Sequence, residues 1–143
     1  MSRLSIASWG PAAWTIMHAT SFTYPTKPTP QDRRRMHVFL YALAAVLPCR
    51  KCREDWQRYL DANVSYPESS HLADRESLSR FLVQGHNRVN EKLGKRTVPY
   101  ETVAEWYLQA EPADPRLVWG CVALLAIAAA LFARSRRQRA PTP

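Results

Sequence analysis

Apolar positions recur by threes and fours along most of the chain. Met36, Phe39, Leu40, Leu43, Val46 and Leu47 form one such stripe. That spacing predicts the buried face of an amphipathic helix. Thr29 caps it, Pro30 fills its first position, and Pro48 ends it, because the residue before a proline is pushed out of helical geometry. Leu78, Phe81, Leu82, Gly85, Val89 and Leu93 predict another helix, with Asp74 as its cap and Gly94 as its stop. Between these, Trp56 and Leu60 at i, i+4 mark a helix from the Cys49/Cys52 pair to about Ala62, followed by a loop from Asn63 to His71. A first helix is expected from about Pro11 to Phe22, and a short fifth from about Tyr100 to Gln109. No alternating Val/Ile/Thr run of useful length appears, so sheet is not expected. The reading is all-α: a four-helix bundle plus a short fifth helix.

The last third of the chain adds a different element. Leu117 to Ala133 is a run of 17 residues without a charge, apolar on every helical face. Trp119 lies near one end, and Arg134, Arg136, Arg137 and Arg139 close the other. This predicts one transmembrane helix at the short end of the usual length. The chain then divides into a domain over 1–110, a linker at 111–116, the span at 117–133 and a basic tail at 134–143. The net charge of +8 owes four charges to that tail. Basic and aromatic residues do not interleave elsewhere, so nucleic acid is not an expected partner. Residues 1–20 lack the basic-then-apolar pattern of a secretory signal. The expected localisation is therefore a single-pass membrane protein with a cytosolic bundle, although the arginine tail itself favours the opposite topology.

Three cysteines are present, at 49, 52 and 121. A structural zinc site needs four ligands. No second cysteine pair exists, and His18, His37, His71 and His86 are scattered, so no metal site is expected. A thioredoxin-like fold would require strands around the pair. Two cysteines at i, i+3 on a helical turn lie near the Cα separation a disulfide favours, about 5–6 Å. A helix N-terminus together with Arg50, Lys51 and Arg53 stabilises a thiolate. The pair therefore suits cycling between dithiol and disulfide. An oxidase built on it requires a cofactor to carry two electrons onward. Trp14 and His18 on the first helix, and His86 and Asn90 on the fourth, are i, i+4 pairs able to line a cofactor pocket between helices. Asn87 and Val89 lie beside them, and Gly85 admits a close approach.

The stretches WGPAAWTIMHATSFTYP, PCRKC and HNRVNEKLGK stand in that order. Together they resemble the Erv/ALR family of FAD-dependent sulfhydryl oxidases over about residues 8–108. The resemblance implies a homodimeric helical bundle that holds FAD non-covalently. It implies that Cys52 lies against the flavin and Cys49 exchanges with the incoming thiol. Gly10, Trp14, His18, Tyr24, His86, Asn87, Val89, Asn90 and Lys95 would belong to the FAD shell, with Trp106 or Tyr107 packing from the last helix. The implied reaction oxidises thiols of protein substrates, or of a thiol carrier, and passes electrons through FAD to dioxygen, giving hydrogen peroxide. Many relatives carry a second, relaying cysteine pair and a further structural disulfide. This chain has neither and is similar to compact forms from large DNA viruses, which suggests a viral or host endoplasmic reticulum membrane. The alternative reading is a non-catalytic membrane adaptor that uses Cys49 and Cys52 as a structural clip.

Overall fold

A computed structural model describes residues 5–108. The described residues form five helices and one short 3-10 turn: α1 (Ile6–Phe22), α2 (Pro30–Val46), α3 (Arg50–Asn63), the turn Ser70–Leu72, α4 (Arg75–Lys92) and α5 (Tyr100–Leu108). The all-helical expectation holds for these residues. The linker 111–116, the run 117–133 and the tail 134–143 lie outside them. None of the described helices is long and apolar enough to cross a membrane.

Local chemistry explains the helix ends. Thr29 and Asp32 form a reciprocal capping box at α2, with Pro30 in the first turn. The Asp74 carboxylate accepts from the Ser77 amide at the start of α4. Gly94 stops α4 in the left-handed region at φ 65°. Cys49 itself caps α3, its Sγ accepting from the Cys52 amide at 3.2 Å.

The structure starts α1 at Ile6 rather than Pro11, so Pro11 lies inside the helix. The usual clash between proline and the residue before it involves that residue's Cβ. Gly10 has none, which removes that part of the clash, and the helix runs through without the hydrogen bond that residue 11 would otherwise donate to the Ala7 carbonyl. The turn at Ser70–Leu72 also falls where only loop was expected; it buries Leu72 completely. Val46, read as part of the buried α2 stripe, is 72% exposed, because the chain leaves the helix there and Leu47 takes the inward position.

α1 packs on α4 and α2 on α3, while α5 closes against α1 and α4. Leu40, Leu60, Leu72, Leu78, Phe81 and Leu82 are fully buried at the centre. A ladder of aromatic rings ties α3 to α4: Trp56 stacks on Tyr59 and Tyr59 on Phe81, with centroids 5.1 and 5.0 Å apart. Gly85 makes that approach possible. A Cβ there would stand 2.8 Å from the Trp56 ring and 2.9 Å from Tyr59. The close neighbour that Gly85 admits is thus a tryptophan of the same chain.

Candidate active site

A cavity of about 690 Å³ opens where α1, α4 and α5 meet the start of α3. Its wall is mainly apolar. α1 contributes Gly10, Trp14 and His18; α4 contributes His86, Asn87, Val89 and Asn90. Lys95 reaches it from the connection after α4, Trp106 and Tyr107 from α5, and Cys52 from α3.

One wall is a slab of aromatic rings. Trp14 lies parallel to His86, centroids 4.1 Å apart and planes 6° apart. Trp14 and Trp56 meet edge to face, with centroids 5.3 Å apart. Tyr107 approaches His18 at 5.7 Å and stacks on Phe22 at 5.3 Å, which anchors α5 to α1. Such a slab offers a face to a flat heterocycle.

Polar groups sit at defined points around it. His18 Nε2 and His86 Nδ1 are 2.9 Å apart and share one hydrogen bond. Burial pushes His18 down to about 4, helped by His86 next to it. Burial, and then Lys95, does the same to His86. Both rings are therefore neutral at pH 7, so one nitrogen of the close pair donates and the other accepts. Four buried side-chain nitrogen or oxygen atoms among the described residues have no partner: Trp9 Nε1, His18 Nδ1, Trp56 Nε1 and Ser69 Oγ. The first three belong to residues that line this cavity. Buried polar atoms normally find partners, so this concentration suits the binding of a polar group.

Asn87 acts through the backbone. Its amide nitrogen donates to the Val98 carbonyl at 2.7 Å, and its carbonyl oxygen accepts from the Val98 amide at 2.9 Å. This pair of hydrogen bonds pins the segment that carries Lys95 and leads into α5.

The two cysteines are joined by a disulfide, with Cα atoms 5.1 Å apart. Only Cys52 lines the cavity; Cys49 does not. Tyr24 departs from its expected place. It is buried in the core, its hydroxyl donates to the Leu72 carbonyl at 3.2 Å, and its own carbonyl accepts from Arg75 Nε at 2.7 Å. It locks the α1–α2 connection to the front of α4 and does not reach the cavity. Conversely, Trp9, Met17, Leu47 and Trp56 line the cavity beyond the residues the sequence points to. Trp56 was detectable, since it lies one helical turn beyond Cys52 and shares its face.

The Erv1 / Alr family model matches residues 11–108. The mitochondrial FAD-linked sulfhydryl oxidase ERV1 of Saccharomyces cerevisiae is 36% identical over 86 residues, covering 60% of this chain and 43% of that protein. The probable FAD-linked sulfhydryl oxidase R368 of Acanthamoeba polyphaga mimivirus is 35% identical over 103 residues, covering 71% of this chain and 70% of that protein. The match to the yeast and plant relatives named ERV1 spans about half the length of those proteins. The crystal structure of the yeast Erv1 core superposes with a TM-score of 0.68 at 26% identity, covering 78% of this chain and 91% of that one.

Proposed function

The chain belongs to the Erv1/Alr family, and on that premise we propose that it is an FAD-dependent thiol oxidase that makes disulfides in protein substrates. The observation that carries this reading is the placement of the disulfide across a boundary. Cys52 borders an aromatic cavity while its partner Cys49 stands outside it. A clip that only held the bundle together would need neither the cavity nor its unpartnered polar atoms.

The residues present fit FAD. The Trp14–His86 slab suits a flat ring, and Lys95 supplies a positive charge for a phosphate. The indole N–H groups of Trp9 and Trp56 and Nδ1 of His18 are buried without partners beside the cavity. Bound there, FAD supplies a two-electron acceptor that dioxygen reoxidises with release of hydrogen peroxide. A substrate thiolate attacks Cys49 Sγ, a mixed disulfide forms, and the electron pair of the broken bond leaves on Cys52. The second substrate thiol then displaces Cys49. The substrate loses two electrons and two protons, and the Cys49/Cys52 pair becomes a dithiol whose cavity-side member, Cys52, hands the electrons inward. The neutral His18/His86 pair keeps that side of the cavity free of fixed positive charge, leaving Lys95 as the cation there.

Purified full-length protein should be yellow and should consume oxygen when given a small dithiol, with peroxide as product. Folded protein that stays colourless after incubation with FAD is inconsistent with the proposal. We further propose that residues 117–133 anchor the domain to a membrane of the endoplasmic reticulum or of a virus. The support is the uncharged run and the arginines that follow it. A homodimer is the proposed assembly, on family resemblance, and sedimentation tests it.

A further inference from the structure

Cys49 sits in a surface with an unusual make-up. Its neighbours at the exit of α2 are apolar and open: Val46 is 72% exposed, the highest value among the exposed large hydrophobic residues, and Pro48 is exposed beside it. The first turn of α3 holds no acid. It carries Arg50 and Lys51 instead, with Arg53 following. Cations near a helix N-terminus oppose the helix dipole, so this arrangement does not serve helix stability. Arg50 pairs with Glu54 at 2.8 Å, an exposed pair that contributes little. Arg53 turns back and donates to the Leu47 carbonyl at 2.6 Å, which fixes its charge at the α2–α3 junction beside Cys49. Among the described residues neither Lys51 nor Arg53 makes an ion pair.

We infer that the surface formed by Val46, Pro48, Cys49, Arg50, Lys51 and Arg53 docks protein thiols flanked by carboxylates, with one apolar side chain of the substrate covering Val46. The inference rests on the oxidase reading and specifies its substrate class. Charge complementarity around the exchanging sulfur raises the encounter rate of acidic partners and disfavours basic ones. The same cations also favour the Cys49 thiolate, but that effect is common to every substrate. The two roles therefore separate when substrates differ only in charge.

The test uses full-length protein carrying Cys52→Ser and Cys121→Ser, in which Cys49 is the single thiol. It is mixed with three matched peptides, each carrying one cysteine as a thionitrobenzoate mixed disulfide flanked by glutamates, glutamines or lysines. Release of thionitrobenzoate reports the exchange and needs no flavin. The glutamate peptide should react about tenfold faster than the lysine peptide at low salt, and the gap should close near 0.5 M salt, where screening is strong. Adding Lys51→Glu should shrink or invert the ratio. Equal rates for the three peptides overturn the inference. So does a Lys51→Glu change that slows all three by one common factor, since the cation would then act on the thiolate alone. Oxygen uptake by the wild-type protein with dithiol versions of the peptides should rank them in the same order. Failure to bind FAD would remove the oxidase reading while leaving the exchange ratios intact, so the two failures are distinguishable.

Discussion

Cys49 and Cys52 are three residues apart, yet only one of them faces the cavity. Substitution should expose that asymmetry. Cys49→Ser leaves a free Cys52 thiolate at the cavity, and FAD-loaded protein should then show a long-wavelength absorbance band. Cys52→Ser should lack the band and should lose turnover. A band in the Cys52→Ser protein instead would reverse the assignment. The histidine pair makes a pH prediction. His18 and His86 titrate near 4 in the folded chain, against about 6.5 when unfolded. Between those values the unfolded chain binds more protons, so stability is full above pH 6.5 and is lost as pH falls toward 4. Burial lowers His37 and His71 in the same direction. The urea midpoint should therefore drop between pH 7 and pH 5, and the drop should be smaller in His18→Gln. A midpoint that does not move contradicts the burial of a neutral pair. Gly85→Ala sets two effects against each other. Alanine favours the helix by about 1 kcal/mol. Overpacking against a rigid ring costs about 1–3 kcal/mol, and the Trp56 ring stands only 2.8 Å from the new methyl. A net loss of about 1 kcal/mol in urea unfolding and weaker FAD binding are expected.

The helices themselves were legible because their signals are local. The caps at Thr29 and Asp74 and the left-handed stop at Gly94 are written in single residue types with direct backbone consequences. The start of α1 was not, since Pro11 reads as a helix start unless the missing Cβ of Gly10 is taken into account. The cavity was half legible. Trp14 with His18 and His86 with Asn90 share helical faces, so periodicity places each pair, and the family motifs join them. The contacts of Tyr24 were not legible because its partners, Leu72 and Arg75, are about fifty residues away in the chain, and no local pattern reports such contacts. The part played by Asn87 was hidden for a related reason. A residue in a cofactor motif suggests a ligand contact, whereas each end of this amide already makes one hydrogen bond to Val98. Its removal should act on the connection between α4 and α5 as an element. Asn87→Ala leaves the Val98 amide and carbonyl unpaired, at a cost of about 1–3 kcal/mol. It should speed amide exchange across residues 95–100 and weaken FAD binding through Lys95. Exchange unchanged in that segment would mean the clamp is not what holds it.

At the level of the whole molecule, chemistry and attachment are assigned to separate parts of the chain. Every residue assigned to the redox site lies between Trp9 and Tyr107, before the uncharged run begins at Leu117. Cys49 and Cys52 are the one cysteine pair between residues 1 and 112, so on the proposed reading protein substrates or a separate thiol carrier exchange at Cys49. Attachment to a membrane would restrict those substrates to thiol proteins assembled at the same surface, and the basic face around Cys49 would select among them by charge. The run itself is marginal in length. As a helix, its 17 residues at about 1.5 Å each would span about 25 Å, slightly less than a typical hydrocarbon core. Arginines after Ala133 can extend to the headgroups and offset the deficit, and a short span favours a thin membrane such as the endoplasmic reticulum. Full-length protein should therefore resist alkaline carbonate extraction from membranes. A truncation after Pro112 should be soluble, should retain FAD and should oxidise a small dithiol at the rate of the full chain. Extraction of the full-length protein by carbonate would remove the anchor and leave the oxidase standing. Loss of FAD from the truncated protein would instead show that the residues beyond Pro112 contribute to the site.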